Sequence, residues 1–262
     1  MGVSGSRNIG KLIRDLRRRK ARERRGCVIA EGRRLVVDLL ASGADVHGLL
    51  VADDVAVTGA AGVLADAGAL GIPSEIVARR DFDAMADTET PSGVLAAVSW
   101  APRELDALPP PPARAVALVL DGVQDPGNVG TMLRTAHALG AWCTVALDGT
   151  ADVRSPKVVR GAMGAHFRHP VAEAAFGDFV AFAAQRRLAL CLAVQDGSPL
   201  AGAPLADPRL ALVVGSEGRG VREAWQAHAP HRVTIPMRQD AESLNAAVAA
   251  GILLYELTRD RA

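Results

Sequence analysis

The stretch VALVLDGVQDPGNVGTMLRTAHALGA, residues 116–141, is where the fold is decided. Val116 to Leu120 is a continuous apolar run, Asp125-Pro126-Gly127 is a turn signal, and the residues after it have helical spacing. On a helix numbered from Asn128, the side chains of Val129, Met132, Leu133, Ala136 and Leu139 share one arc, and Arg134 points nearly opposite. Asn128 is suited to cap that helix. Taken alone, the two polar residues read first as a helix cap and a solvated surface charge, ahead of any functional role. A strand that is apolar throughout, rather than at alternate positions, is expected to be buried on both faces, as in a parallel sheet.

Working outward, the same unit recurs. Cys143 to Leu147, Leu188 to Val194, Leu210 to Val214 and Val233 to Pro236 are further apolar strand candidates, each set off by a helix-length segment. Upstream, Pro109-Pro110-Pro111-Pro112 favours a stiff extended linker, because consecutive prolines continue neither a helix nor a central strand. Before it lie apolar runs at Cys27 to Ala30, Gly48 to Ala52 and Gly93 to Ser99, with helical patterns at Arg33 to Ala41 and Ala60 to Leu70. The expected organisation is α/β throughout: a smaller domain over residues 1–100, a Pro-rich linker over 101–113, and a mostly parallel sheet domain over 114–262. In such sheets ligands sit at the carboxyl ends of the strands, so the loops after the strands are the place to search.

Composition narrows the function classes. The 262 residues carry 30 basic and 29 acidic side chains, a formal +1, but Arg7 to Arg34 holds twelve Lys/Arg against three Asp/Glu. That local +9 leaves −8 for the rest and marks an N-terminal basic segment. No apolar run is long enough for a membrane span, and charge stands where a signal peptide needs its apolar core, so the chain reads as soluble and cytoplasmic with no membrane partner. Cys27, Cys143 and Cys191 are far apart and form no C-x-x-C pair, so they read as reduced core residues. Neither HExxH nor a Cys/His cluster is present, and no metal is expected.

Two more post-strand segments match the first in interest. LALVVGSEGRGV, residues 210–221, runs from a strand into Gly215, Gly218 and Gly220, which let a ligand approach the backbone. It fits neither the dinucleotide pattern nor a phosphate loop. VTIPMRQDAESLNAAVAAGILLYEL, residues 233–257, offers Ser243 and Asn245 as caps, and from Leu244 to Leu257 it is apolar around most of its circumference. Such a helix is expected to be buried on several sides, in the core or against a second subunit.

Together these segments resemble the motifs of the SpoU/TrmH family of SPOUT RNA 2′-O-methyltransferases. The resemblance rests on Asn128, Gly130 and Arg134, on Gly215-Ser216-Glu217-Gly218, and on Ile235-Pro236-Met237 with Glu242-Ser243-Leu244-Asn245. KVVRGAMGAHFRHPV, residues 157–171, is similar to the segment that follows the family's first motif, and Ala30-Glu31-Gly32 resembles its ribosomal-protein-like N-terminal domain. The resemblance implies a SPOUT domain with a deep trefoil knot, a homodimer packed through the last helix, and S-adenosyl-L-methionine as methyl donor. It implies donor contacts from Val214, Gly215, Glu217, Gly218, Ile235, Met237, Ser243, Leu244 and Asn245. It implies catalytic roles for Arg134, Asn128, Glu217, Ser243 and Asn245. An electrostatic, positioning role suits Arg134, because a guanidinium is hard to deprotonate and its fork fits a phosphate oxygen.

RNA is the implied partner, ribosomal RNA ahead of transfer RNA because of the accessory domain; a non-catalytic RNA-binding or assembly factor is the alternative. Lys11, Arg14, Arg17, Arg18, Arg22 and Arg25, with Arg160, are the expected phosphate contacts. Phe82 and Trp100 are the only aromatic residues among the first 113, so backbone and shape readout is expected over base stacking. Two positions depart from the family pattern: Gln239, where a small residue is frequent, and Ala162, where Ser is.

Overall fold

The basic N-terminal segment folds as two helices, α1 (Ile9–Leu16) and α2 (Arg19–Arg25), in a computed structural model that describes residues 8–200, 205, 207–238 and 242–259. Arg7 and Gln239, singled out above, lie outside the described residues. Asn8 opens α1 by accepting from the Lys11 amide at 2.6 Å. Ile9, Ile13 and Leu16, four and three residues apart, bury one face of that helix. The described residues fall into two compact units: those up to Ala101 together with Arg154–Phe167, and Pro102–Val153 together with those from Arg168 on.

In the first unit, β1 (Cys27–Glu31), α3 (Arg33–Ala41), β2 (Val46–Ala52), α4 (Asp53–Ala56), α5 (Ala61–Ala69), β3 (Ser74–Val77), α6 (Arg79–Asp83) and β4 (Val94–Ser99) follow in order. The sheet order is β1-β4-β2-β3, with β4 antiparallel to both neighbours and β2 parallel to β3. Val28, Leu49, Val51 and Val94 pack under α3 and α5, whereas Ile29, Leu50 and Leu95 meet Ile13, Leu16 and Phe82. Alternate residues of each strand thus serve opposite covered faces, which is why these strands read as continuous apolar runs. The edge strand β3 was not anticipated: it is only four residues long, and none of them is fully buried.

The second unit is built on β5 (Ala115–Asp121), α7 (Pro126–Ala138), β6 (Cys143–Leu147), β7 (Val171–Ala174), α9 (Phe176–Arg186), β8 (Ala189–Pro199), β9 (Arg209–Gly215), β10 (His231–Thr234) and α10 (Ala246–Thr258). Between β6 and β7 the chain leaves it for α8 (Pro156–Gly161). The sequence boundaries assign that helix to the second domain, but it packs on β1 and adds Val159 to the first unit's core. The six strands are parallel, in the order β10-β8-β9-β5-β6-β7. The chain steps one way from β5 to β7 and then returns to the other side, so the switch point lies between β5 and β9. Ala117, Val119, Val145 and Val213 pack with Phe179, Phe182 and Trp225. The alternate residues Leu118 and Leu120 are equally buried, and α10 packs on β5, β9 and α7.

Two helix starts differ from the sequence reading or refine it. Asp125, not Asn128, caps α7, accepting from the Gly127 amide at 2.9 Å with Pro126 in the first turn. At α10, Asn245 is the cap and Ser243 is not: Asn245 Oδ1 accepts from the amides of Ala247 and Val248 at 2.9 and 3.2 Å. All three cysteines are free and buried, and no helix among the described residues is long and apolar enough to cross a membrane.

Candidate active site

Because Asp125 takes over the capping, Asn128 lies inside the first turn of α7, and its amide is free to face the loop after β9. There it donates from Nδ2 to Glu217 Oε1 at 2.7 Å. Its Oδ1 accepts from Asn245 Nδ2 at 3.0 Å. Asn245 in turn spends its own carbonyl oxygen on the start of α10. One chain of hydrogen bonds therefore joins the segments after β5, β9 and β10 at the carboxyl ends of the strands. Asn128 is 8 % exposed, whereas Glu217 and Asn245 are open to solvent, so the buried amide is the hub and its partners form the surface.

The loop carrying Glu217 is held tightly at its base. Ser216 and Gly220 exchange both backbone hydrogen bonds, at 3.0 and 2.9 Å, and Ser216 Oγ accepts from the Arg219 amide at 3.2 Å. Gly215 is required by this closure: a Cβ there would stand 2.0 Å from the Gly220 carbonyl carbon and 2.2 Å from its oxygen. Gly220 itself adopts φ +65°, which L side chains rarely adopt. Glu217 and Gly218 are exposed at the tip. Between β10 and α10, Met237 and Leu244 present apolar surface, 37 % and 39 % exposed, while Ile235 is half-buried. Val214 is buried within β9.

Arg134 and Ser243 stand outside the hydrogen-bonded chain. Arg134 is on the exposed face of α7, opposite Val129, Met132, Leu133 and Ala136, all of which are buried. Among the described residues it has neither a hydrogen-bond nor an ion-pair partner, which leaves its fork available. Ser243 is exposed, and Ala162 is fully buried at the end of α8. On α10, Val248, Ile252 and Tyr255 form an exposed apolar stripe, 51 %, 41 % and 53 % exposed, while Leu253, Leu254 and Leu257 face inward. Burial on several sides, expected for this helix, is thus met on one side within the chain.

The expected phosphate contacts divide by environment. Lys11 and Arg14 project from the exposed face of α1. Arg18 and Arg25, with Arg24, converge on Asp15, whose carboxyl they hold below its ordinary range through hydrogen bonds from Arg18 and Arg25. Arg17 donates to the Ala84 carbonyl. Arg22 is a correction: it is 4 % exposed, and its guanidinium donates to the carbonyls of Leu16 and Arg17 at 2.9 and 2.8 Å, joining α1 to α2. Arg160 donates to Asp87 at 2.6 Å, beside Glu31. Composition counts charges but cannot say which are spent internally.

Sequence reasoning assigned no role to Asp121, Arg222 and Trp225, which meet at the end of β5. An Asp ending an apolar run was the available signal, since a buried carboxylate needs donors. No group of three or more His, Cys, Asp or Glu among the described residues is arranged to hold a metal ion.

Comparison with known proteins identifies relatives of both parts of the chain. Residues 115–255 match the SpoU rRNA Methylase family, and residues 8–96 match the MRM3-like substrate binding domain. The chain is 37 % identical over 243 residues, 92 % of each sequence, to the 23S rRNA (guanosine(2553)-2′-O)-methyltransferase RlmP of Bacillus subtilis. It is 32 % identical to the 23S rRNA (guanosine-2′-O-)-methyltransferase RlmB of Haemophilus influenzae, over 73 % of this chain and 80 % of that one. Among solved structures, the AdoMet-bound rRNA methyltransferase of Sinorhizobium meliloti superposes with a TM-score of 0.83 at 29 % identity, covering 99 % and 97 % of the two chains. The SpoU methyltransferase AviRb of Streptomyces viridochromogenes, in complex with AdoMet, gives 0.82 at 27 % identity, with 97 % and 98 % covered.

Proposed function

The chain belongs to the SpoU rRNA methylase family, and from that premise we propose that it transfers the methyl group of S-adenosyl-L-methionine to a ribose 2′-hydroxyl of ribosomal RNA. The observation that carries the reading is the chain Asn245–Asn128–Glu217, which ties the three post-strand segments together at the switch point of the sheet. The donor suits the residues present: exposed Met237 and Leu244 offer apolar contact to a ring, and the Gly215–Gly220 loop brings bare backbone to the same ends of the strands. Val214, Ile235 and Gly218 complete the proposed donor contacts, with Ser243, Asn245 and Glu217 at the polar end.

When bound, the donor supplies an electrophilic methyl on a sulfonium. The protein's contribution is positional. In-line placement of hydroxyl and methyl removes an entropic barrier worth up to about 7–11 kcal/mol in favourable cases. Arg134, exposed and unpaired among the described residues, is assigned the phosphate or hydroxyl next to the reacting ribose, where its fixed positive charge favours the developing alkoxide. Asn128 and Glu217 orient the ribose side of the site. Lys11 and Arg14, with the arginines around Asp15, grip the RNA backbone from the substrate-binding domain. The Val248–Ile252–Tyr255 stripe is assigned to a second copy of the chain, a cytoplasmic homodimer with the SPOUT knot.

Mapping 2′-O-methylated nucleotides in ribosomal RNA from cells with and without the protein tests the reading; identical maps in ribosomal and transfer RNA would end it. Arg134→Ala is expected to keep fold and donor binding while abolishing turnover, and retained activity removes Arg134 from the mechanism. Val248→Glu with Ile252→Glu is expected to yield monomers by light scattering.

A further inference from the structure

We propose that Asp121 is a positioning residue for the methyl transfer: its carboxylate clamps the return end of the loop that carries Glu217. The inference rests on the methyltransferase reading above. Asp121 is the last residue of β5 and pairs in register with Gly215, the point where the loop leaves β9. Its side chain, 2 % exposed, reaches across to where the loop comes back. Oδ2 accepts from the Arg222 amide at 2.8 Å and from the Trp225 indole Nε1 at 2.8 Å, and Oδ1 accepts from Arg222 Nε at 2.6 Å. One residue therefore holds both ends of the Ser216–Val221 loop, the outgoing end by sheet register and the returning end by its carboxylate.

The clamp is braced from behind. Arg222 Nη2 donates to the Asp148 carbonyl at 3.0 Å, and Nη1 lies 3.4 Å from both Asp148 carboxylate oxygens, beyond β6. The guanidinium sits over Phe176, 5.1 Å from the ring centroid, and Phe176 meets Trp225 edge-on at 4.7 Å. Trp225 is fully buried, so the returning end of the loop is fixed to the core. Glu217, by contrast, is exposed and is directed to Asn128 by the loop that bears it. Loss of the clamp would let Glu217 drift while leaving Asn128 and the sheet in place.

Asp121→Asn tests this with little change of shape, since its amide NH₂ must face a donor of Arg222 or Trp225. Trp225→Phe, which deletes one donor to the carboxylate and keeps an aromatic ring, is the second variant should the first fail to fold. In donor-free protein, hydrogen exchange at the Gly220 and Arg222 amides is expected to speed up in either variant, with exchange in β6 unchanged. Misplacement by about an ångström lowers turnover on the order of a hundredfold. In a double-mutant cycle, Asp121→Asn added to Glu217→Gln is expected to cost little beyond Glu217→Gln alone, because both act through one carboxylate. Multiplicative losses, full activity of the variants, or unaltered exchange at Gly220 and Arg222 would overturn the proposal. A wild-type chain that binds no donor and methylates no RNA would instead overturn the methyltransferase reading, and the catalytic role of the clamp with it.

Discussion

Asn128→Asp puts a carboxylate where the hub amide donates, 2.7 Å from Glu217 Oε1, and replaces a hydrogen bond by like charges. Asn128 is buried and Glu217 exposed, so an effective dielectric of about 40, between core and water, is appropriate; at roughly 3.5 Å it gives about 2–3 kcal/mol of repulsion. The lost hydrogen bond adds about 1 kcal/mol. For a domain of this size a total near 3 kcal/mol lowers the melting temperature by roughly 6–12 °C. The two carboxyls can relieve the repulsion by sharing a proton, and the singly protonated pair keeps a hydrogen bond that the doubly charged pair lacks. That hydrogen-bonded form takes up a proton, so it is present at low pH and lost as pH rises. The variant is therefore expected to melt close to wild type near pH 5 and far below it near pH 8, while Asn128→Ala shows a smaller deficit independent of pH. Melting curves by circular dichroism across this range are the assay. A deficit for Asn128→Asp that is absent, or constant with pH, would refute the assignment of Asn128 and Glu217 as partners.

Gly215→Ala is expected to abolish donor binding measured by calorimetry, since its Cβ meets backbone at 2.0 Å rather than a side chain that can turn away; near-normal affinity would show that the loop closes otherwise. His169 is held neutral by burial, and secondarily by His137, with its pKa lowered to about 4. Folding is therefore favoured by the neutral ring above the ordinary value, and stability declines as pH falls from about 6.5 towards 4, by up to roughly 3 kcal/mol. Urea midpoints of wild type and His169→Asn should diverge near neutral pH and converge in acid, and parallel pH profiles would count against it. Lys11→Ala with Arg14→Ala is expected to reduce the salt slope of RNA binding by roughly 0.7–0.9 per lost contact, whereas Arg22→Ala should lower stability. Equal effects on slope from all three would mean that burial does not sort these residues.

The parallel sheet, the strand positions from β5 to β10 apart from β7, and the three loops worth searching were legible locally. Apolar runs mark strands covered on both faces, and glycines and Asx residues after them mark the ligand end. The role of Asn128 was legible only as an alternative, because a polar residue after a Pro-Gly turn fits a cap equally well. What released it was Asp125, three residues earlier, taking the capping bond. The short strands β3 and β7 carried too few apolar positions to stand out, and the packing of 154–167 with the first unit left no trace in periodicity.

By itself the sequence determined which residue types lie along each strand, turn and helix, since these follow from spacing and local backbone preference. Only the tertiary structure decided which charges are spent and which remain for ligands. Arg22 and Arg14 are indistinguishable in composition, yet one is buried on carbonyls and the other faces solvent. Asp121 and Arg222 are 101 residues apart and become partners only because β5 and β9 are neighbours. A hydrogen bond is decided by distance and burial, and neither quantity exists until the sheet has brought remote segments together.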